Sequence, residues 1–152
     1  MAHFKIRAAT INDGADILAL MQEVAPEVPV NLDGDEEQEK IQIVIFERCA
    51  SGRSLVAVDS NEAVIGFVVA RPDFDEGGGA TFLDYVGVSK KSRGQGVFTN
   101  MMAQLKARGA PLIAVVLNGN QAHMADRLVG AGYTQVEANS KQARYRWAPA
   151  SN

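Results

Sequence analysis

The stretch from Thr81 to Leu117 constrains the fold more than any other part of the chain. Thr81 to Ser89 is rich in strand-forming residues, and a glycine-containing turn follows it. Phe98, Met101, Met102 and Leu105 then recur at the i, i+3, i+4, i+7 spacing of an amphipathic helix, which closes at Gly109 with Pro111 beyond. Pro111 to Leu117 (PLIAVVL) is the short unbroken apolar run of a strand buried on both faces. Strand, helix and strand in this order form a right-handed crossover, so these two strands lie parallel.

The segments around this unit are mostly antiparallel in character. Phe4, Ile6 and Ala8 alternate with Lys5 and Arg7 as a half-buried strand does. Asp13 opens a helix carrying Ile17, Leu20, Met21 and Val24, which stops before Pro26. An irregular stretch, 25–35, leads into a second helix from Glu36 to Ala50. Ser54 to Asp59 and Ala63 to Arg71, joined by Ser60, Asn61 and Glu62, read as a hairpin. Ala122 to Ala131 is a helix, and Tyr133 to Val136 and Ala143 to Trp147 are closing strands. The expected fold is α/β, with a mixed, mostly antiparallel central sheet and helices on both faces. At 152 residues, the whole of 1–152 is expected to be one domain.

Composition narrows the class. Hydrophobic residues at 47% and charged residues at 22% exclude disordered, collagen-like and disulfide-rich chains. Cys49 is the one cysteine, and with only His3 and His123 available no zinc-ligand spacing exists. No apolar run approaches the roughly 18 residues of a membrane span, and the charged start MAHFKIRAAT does not resemble a signal peptide. A cytoplasmic protein with neither membrane nor nucleic acid as partner is expected, and a homodimer is allowed. The net charge of −3 hides a division. Residues 1–85 carry 6 Lys/Arg against 16 Asp/Glu, net −10, and residues 86–152 carry 9 against 2, net +7. A basic half suits an anionic partner and an acidic half a cationic one.

The turn Ser89 to Phe98 (SKKSRGQGVF) joins the end of a strand to the start of a helix. Helix-terminal N–H groups, the positive end of the dipole and glycines that admit close approach all favour a phosphate there. Lys90, Lys91 and Arg93 add positive charge. The dinucleotide fingerprint fails because Gly94 and Gly96 have no third glycine at the required spacing, and no P-loop pattern is present.

In these residues the chain resembles the GNAT superfamily of acyl-CoA-dependent N-acetyltransferases. The family's phosphate loop, [QR]-x-x-G-x-[GA], is similar to Lys91-Ser92-Arg93-Gly94-Gln95-Gly96, with Lys91 replacing Gln or Arg. The preceding LDYVGV, the strand Ile65 to Val69 and NxxHxxxxLVGAGY near the end add to the resemblance. It implies acetyl-CoA as cosubstrate. Backbone groups of Val86, Gly87 and Val88 would pair with the pantetheine arm. The N–H groups of Arg93, Gly94, Gln95, Gly96, Val97 and Phe98 would hold the pyrophosphate beside Lys91, and Asn120 would lie near the pantetheine. Family strands splay here, often through a bulge in the fourth strand, for which Gly87 is suited.

Acetyl transfer to an amine with a pKa of about 10.4 needs a proton acceptor. Asp84, four residues before Val88, matches the place where several members carry a catalytic Glu, and strict alternation would put it on the face of Val86 and Val88. The N–H of Val88 would polarise the thioester carbonyl. Many members protonate the leaving thiolate with a tyrosine four residues before a glycine, and that position is Leu128 here. Tyr133 is expected to pack, which leaves Tyr145, Tyr85, water or the attacking ammonium to supply the proton. The acidic run Asp33 to Glu39, with five carboxylates, is either solvated surface or a rim that draws in a cationic acceptor. Cys49 reads as a small core residue and His123 as a solvated or capping one. The function expected is acetyl transfer from acetyl-CoA to a primary amine in a ternary complex. The alternative is a non-catalytic acyl-CoA-binding sensor or interaction module.

Overall fold

The computed structural model describes residues 3–25, 28, 32–74, 79–118 and 123–149. Its elements follow the expected order: β1 (Phe4–Ala8), α1 (Gly14–Glu23), α2 (Asp35–Ala50), β2 (Leu55–Asp59), β3 (Val64–Asp73) and β4 (Ala80–Val88). After these come α3 (Val97–Ala107), β5 (Leu112–Leu117), α4 (Met124–Gly130), β6 (Thr134–Ala138) and β7 (Gln142–Trp147). The strands form a seven-stranded sheet in the order β1-β2-β3-β4-β5-β7-β6. Its neighbours are antiparallel except for β4 and β5, which the α3 crossover makes parallel. The strands of the acidic half thus occupy one side of the sheet and those of the basic half the other, with the boundary between β4 and β5.

The helices cover both faces for reasons visible in their sequences. Ile41, Ile45 and Cys49 recur every four residues along α2 and form one buried face. That face meets Ile17 and Met21 of α1 over Val56, Val58, Phe67 and Val69 of the sheet. On the opposite face, Val97, Met101 and Leu105 of α3 and Leu128 of α4 pack on Leu55, Ala57, Val68 and Leu83. Each such Leu, Ile, Met or Phe contributes roughly 1.5–3 kcal/mol on burial. Asp13 is itself buried before α1, accepting hydrogen bonds from both terminal nitrogens of Arg7 at 2.8 and 2.9 Å and from the Thr10 N–H at 2.8 Å. The Arg7 guanidinium is the main reason its carboxyl titrates below the ordinary range.

Two features depart from expectation. Strand β3 continues past Arg71 through Pro72 to Asp73. Its pairing with β2 ends at Val68, so the missing proline N–H costs no ladder bond on that side.

The second correction moves the bulge. Val69 pairs with Tyr85 and Ala70 with Leu83, which leaves Asp84 as the extra residue. Gly87 instead lies in regular register opposite Phe67, where an added Cβ would sit 2.7 Å from the ring. It is small because an aromatic ring packs over it. The bulge also shifts the alternation of β4. Leu83, Val86 and Val88 face the α3 side, whereas Tyr85 packs with the α1–α2 cluster and Asp84 reaches Arg48 of α2. Asp84 therefore does not share a face with Val86 and Val88.

Candidate active site

The glycine turn is held from both sides. Ser92 donates its N–H to the Ser89 carbonyl at 3.0 Å. Glu23, at the end of α1, accepts from the Lys90 N–H at 2.9 Å and the Ser89 hydroxyl at 3.3 Å. Gly94 and Gly96 then take positive φ of 81° and 85°, a region in which a Cβ is strained. Gly96 caps α3, and the first helical bond runs from the Asn100 N–H to its carbonyl at 2.9 Å. The N–H groups of Val97, Phe98 and Thr99 precede that bond and have no partner within the helix. They open on a cleft of about 340 Å³ bordered by Ser92, Arg93, Gly94, Gly96, Phe98 and Arg127.

The expected anion-binding residues separate here. Arg93 borders the cleft, but its Nε and Nη2 both donate to the Val88 carbonyl at 3.2 Å, so the guanidinium braces the strand end. Lys91 borders a different groove on the other side of the turn, beside Asp16, Glu23 and Glu62. Gln95 is exposed. Asn120 lies outside the described residues. Arg127 of α4 also borders the cleft, a cation that sequence reasoning missed. Its signal was faint: it lies in the basic half, four residues after His123, which is exposed at the α4 N-cap.

Val88, which borders the cleft, also stands where a gap opens in the sheet. Strands β4 and β5 pair only from Thr81 to Leu83 with Leu112 to Ala114, and then part. Beyond that point the Ser89 N–H donates to the Ile65 carbonyl of β3 at 2.8 Å. Backbone groups alternate along an antiparallel ladder, so Tyr85, Gly87 and Ser89 turn theirs toward β3. Val86 and Val88 turn theirs to the side that β5 has left. Of the three residues expected to offer backbone groups, Val86 and Val88 face the gap, and Gly87 makes room for Phe67.

Between β4 and β5 lies a slot of about 40 Å³ with largely apolar walls, among them Val115, Leu117, Met124 and Leu128. Asp84 and Tyr85 also line it. Asp84 Oδ2 accepts from Arg48 Nε at 2.9 Å and Oδ1 from Arg71 Nε at 3.3 Å. Arg71 in turn stacks on Phe82, 4.5 Å from the ring centroid. Sequence reasoning found neither arginine, because both partners are distant in the chain. Burial, and secondarily the charge of Asp84, pushes the half-buried Tyr85 phenol up.

The other tyrosines are engaged elsewhere. Tyr133 is buried and donates to Met102 Sδ at 3.4 Å, as a packing residue does, with burial raising its pKa. The Tyr145 hydroxyl meets Gln135 Oε1 at 3.4 Å. Cys49 is a core residue whose thiol burial pushes up to about 11, far from the thiolate a nucleophile requires. In the acidic run, Glu36 and Glu37 pair with Lys40 at 3.6 and 3.3 Å. At 1.5 Å per residue they stand roughly 17 Å along α2 from Arg48.

The splayed strand pair and the glycine-capped helix are the features that the resemblance to acyl-CoA-dependent acyltransferases implies. The acetyltransferase (GNAT) family model matches residues 17–128, and the chain belongs to that family, whose cosubstrate is acetyl-CoA. An acetyltransferase of the GNAT family from Bacillus cereus superposes with a TM-score of 0.74 at 15% identity, over 97% of this chain and 99% of its own. PaiA N-acetyltransferase from Thermoplasma acidophilum, solved in complex with coenzyme A, gives 0.70 at 11% identity over 96% and 99%. Diaminobutyrate acetyltransferase EctA from Paenibacillus lautus, solved with L-2,4-diaminobutyric acid and coenzyme A, gives 0.71 at 15% identity over 100% and 98%. At these identities the likeness is one of fold. No curated protein sequence matches the chain. Among the described residues, no helix is long and apolar enough to cross a membrane and no His/Cys/Asp/Glu group could hold a metal ion.

Proposed function

We propose that the protein transfers an acetyl group from acetyl-CoA to a primary amine by direct attack within a ternary complex. The observation that carries this reading is the parting of β4 from β5 beside the α3 N-terminus, with Val86 and Val88 facing the gap. The residues present suit acetyl-CoA: orphan N–H groups and Arg127 meet a pyrophosphate, and a strand edge meets an amide-bearing arm. The Val88 N–H donates to the thioester oxygen as negative charge develops on it. Asp84 accepts the proton that the amine must lose. A carboxylate offers about four lone-pair sites, so the two arginines leave room for a water that relays the proton. Holding both reactants in one gap supplies much of the remaining acceleration.

The acceptor is a cationic amine in this reading. The strands of the acidic half border one side of the gap, and a PaiA N-acetyltransferase and a diaminobutyrate acetyltransferase share the fold. The test is a panel of small amines, aminoglycosides, amino acids and lysine peptides, each supplied with acetyl-CoA while free thiol is followed. Amine-dependent thiol release is the expected result. Tight coenzyme A binding without release for any acceptor class would replace this reading with a non-catalytic acyl-CoA sensor.

A further inference from the structure

We infer that Tyr85 is the proton donor to the departing thiolate, a role that rests on the acetyl-transfer reading above. Asp84 and Tyr85 are the two titratable side chains among the described residues that line the slot, and Asp84 is already engaged by Arg48 and Arg71. The wall facing them is apolar, from Val115 to Leu117 with Met124 and Leu128, and offers no proton. The bulge at Asp84 is what places the two side by side, since it shifts the alternation of β4. Tyr133 and Tyr145 are held away by Met102 and Gln135.

The step balances as follows. The amine, having lost one proton through Asp84, forms the N–C bond and the carbonyl pair moves to oxygen. When that pair returns, the C–S bond breaks and sulfur keeps its electrons. Tyr85 Oη gives its proton to that sulfur, and the phenolate is restored by the second proton leaving the new amide nitrogen. Free thiol, amide and a protonated Tyr85 result. A thiol with an ordinary pKa of about 8.5 is a better leaving group when its proton arrives with bond cleavage.

The groups around Tyr85 set when that proton is available. Arg48, itself paired with Glu47 at 3.5 Å, comes from α2, Arg71 from β3 and Asp84 from β4. Strand β5 brings no titratable residue to the slot, and Glu23 of α1 is engaged at the far end of β4. Burial and Asp84 raise the phenol's pKa, while Arg48 lowers it.

The experiment is the pH dependence of kcat for wild type, Tyr85→Phe, Asp84→Asn and Arg48→Gln, with coenzyme A affinity measured by calorimetry on each. The wild-type profile should fall on its alkaline side as the phenol ionises. Tyr85→Phe should lose roughly 100-fold in kcat and lose that limb, with coenzyme A affinity unchanged. The limb should move to lower pH in Asp84→Asn and to higher pH in Arg48→Gln, which a purely structural role for these residues would not produce. Tyr85→Phe within about threefold of wild type, with the limb intact, overturns the assignment and leaves acetyl transfer standing. A wild type that binds coenzyme A but releases thiol with none of the amine classes overturns both.

Discussion

At the α3 end of the gap most of the inward-facing groups belong to the backbone, namely the first N–H groups of the helix, two left-handed glycines and the strand edge at Val88, with the Arg127 side chain beside them. At the Asp84 end they are side chains, two polar and the rest apolar, and their direction depends on one extra residue in β4. A backbone-built site is indifferent to most side chains around it. Replacement of Gln or Arg by Lys91 is therefore expected to be harmless, because that side chain lies in another groove. A side-chain-built site has no such tolerance, since a shift of one residue in a strand turns every later group to the other face.

That contrast breaks most sharply at Gly96. Gly96→Asp puts a Cβ into left-handed backbone and an anion into the phosphate cleft, and it should weaken coenzyme A binding by at least 100-fold, or about 2.7 kcal/mol. Calorimetry reads the affinity and circular dichroism the fold; unchanged affinity in a folded variant would remove the turn from the site. Asp84→Asn tests the other end. It should lower kcat by roughly 10- to 100-fold while coenzyme A affinity stays within about twofold, because a proton acceptor is lost without a change of shape. Loss of affinity equal to the loss of rate would show that the two ends are one unit.

Arg127→Ala should cost about tenfold in coenzyme A affinity, or roughly 1.4 kcal/mol, with a weaker salt dependence, while Lys91→Ala stays within about twofold. The opposite ranking would restore Lys91 to the cleft. The smallest effect is expected from neutralising Asp35, Glu36 and Glu37 together. Lys40 already pairs with two of them, so the acceptor KM should rise only about two- to threefold at low salt and less at high salt. A KM indifferent to both changes would make the run plain solvated surface.

The sequence by itself determined the order of the elements, the parallel pair around α3, the mixed sheet and the glycine turn. These rest on periodicity and on residues such as Gly94 and Gly96 whose backbone freedom is a local property. Only the tertiary structure decided what each side chain near the chemistry does. Gly87 is compatible both with a bulge and with an aromatic ring above it, and Phe67, twenty residues away in the chain, selects the second. Asp84 reads as a lone carboxylate until α2 delivers Arg48 and β3 delivers Arg71. Glu23 reads as the end of a helix until the fold brings it under Lys90. Each of these contacts joins residues far apart along the chain. Their partners are set by how helices and strands pack, and no spacing within the sequence records it.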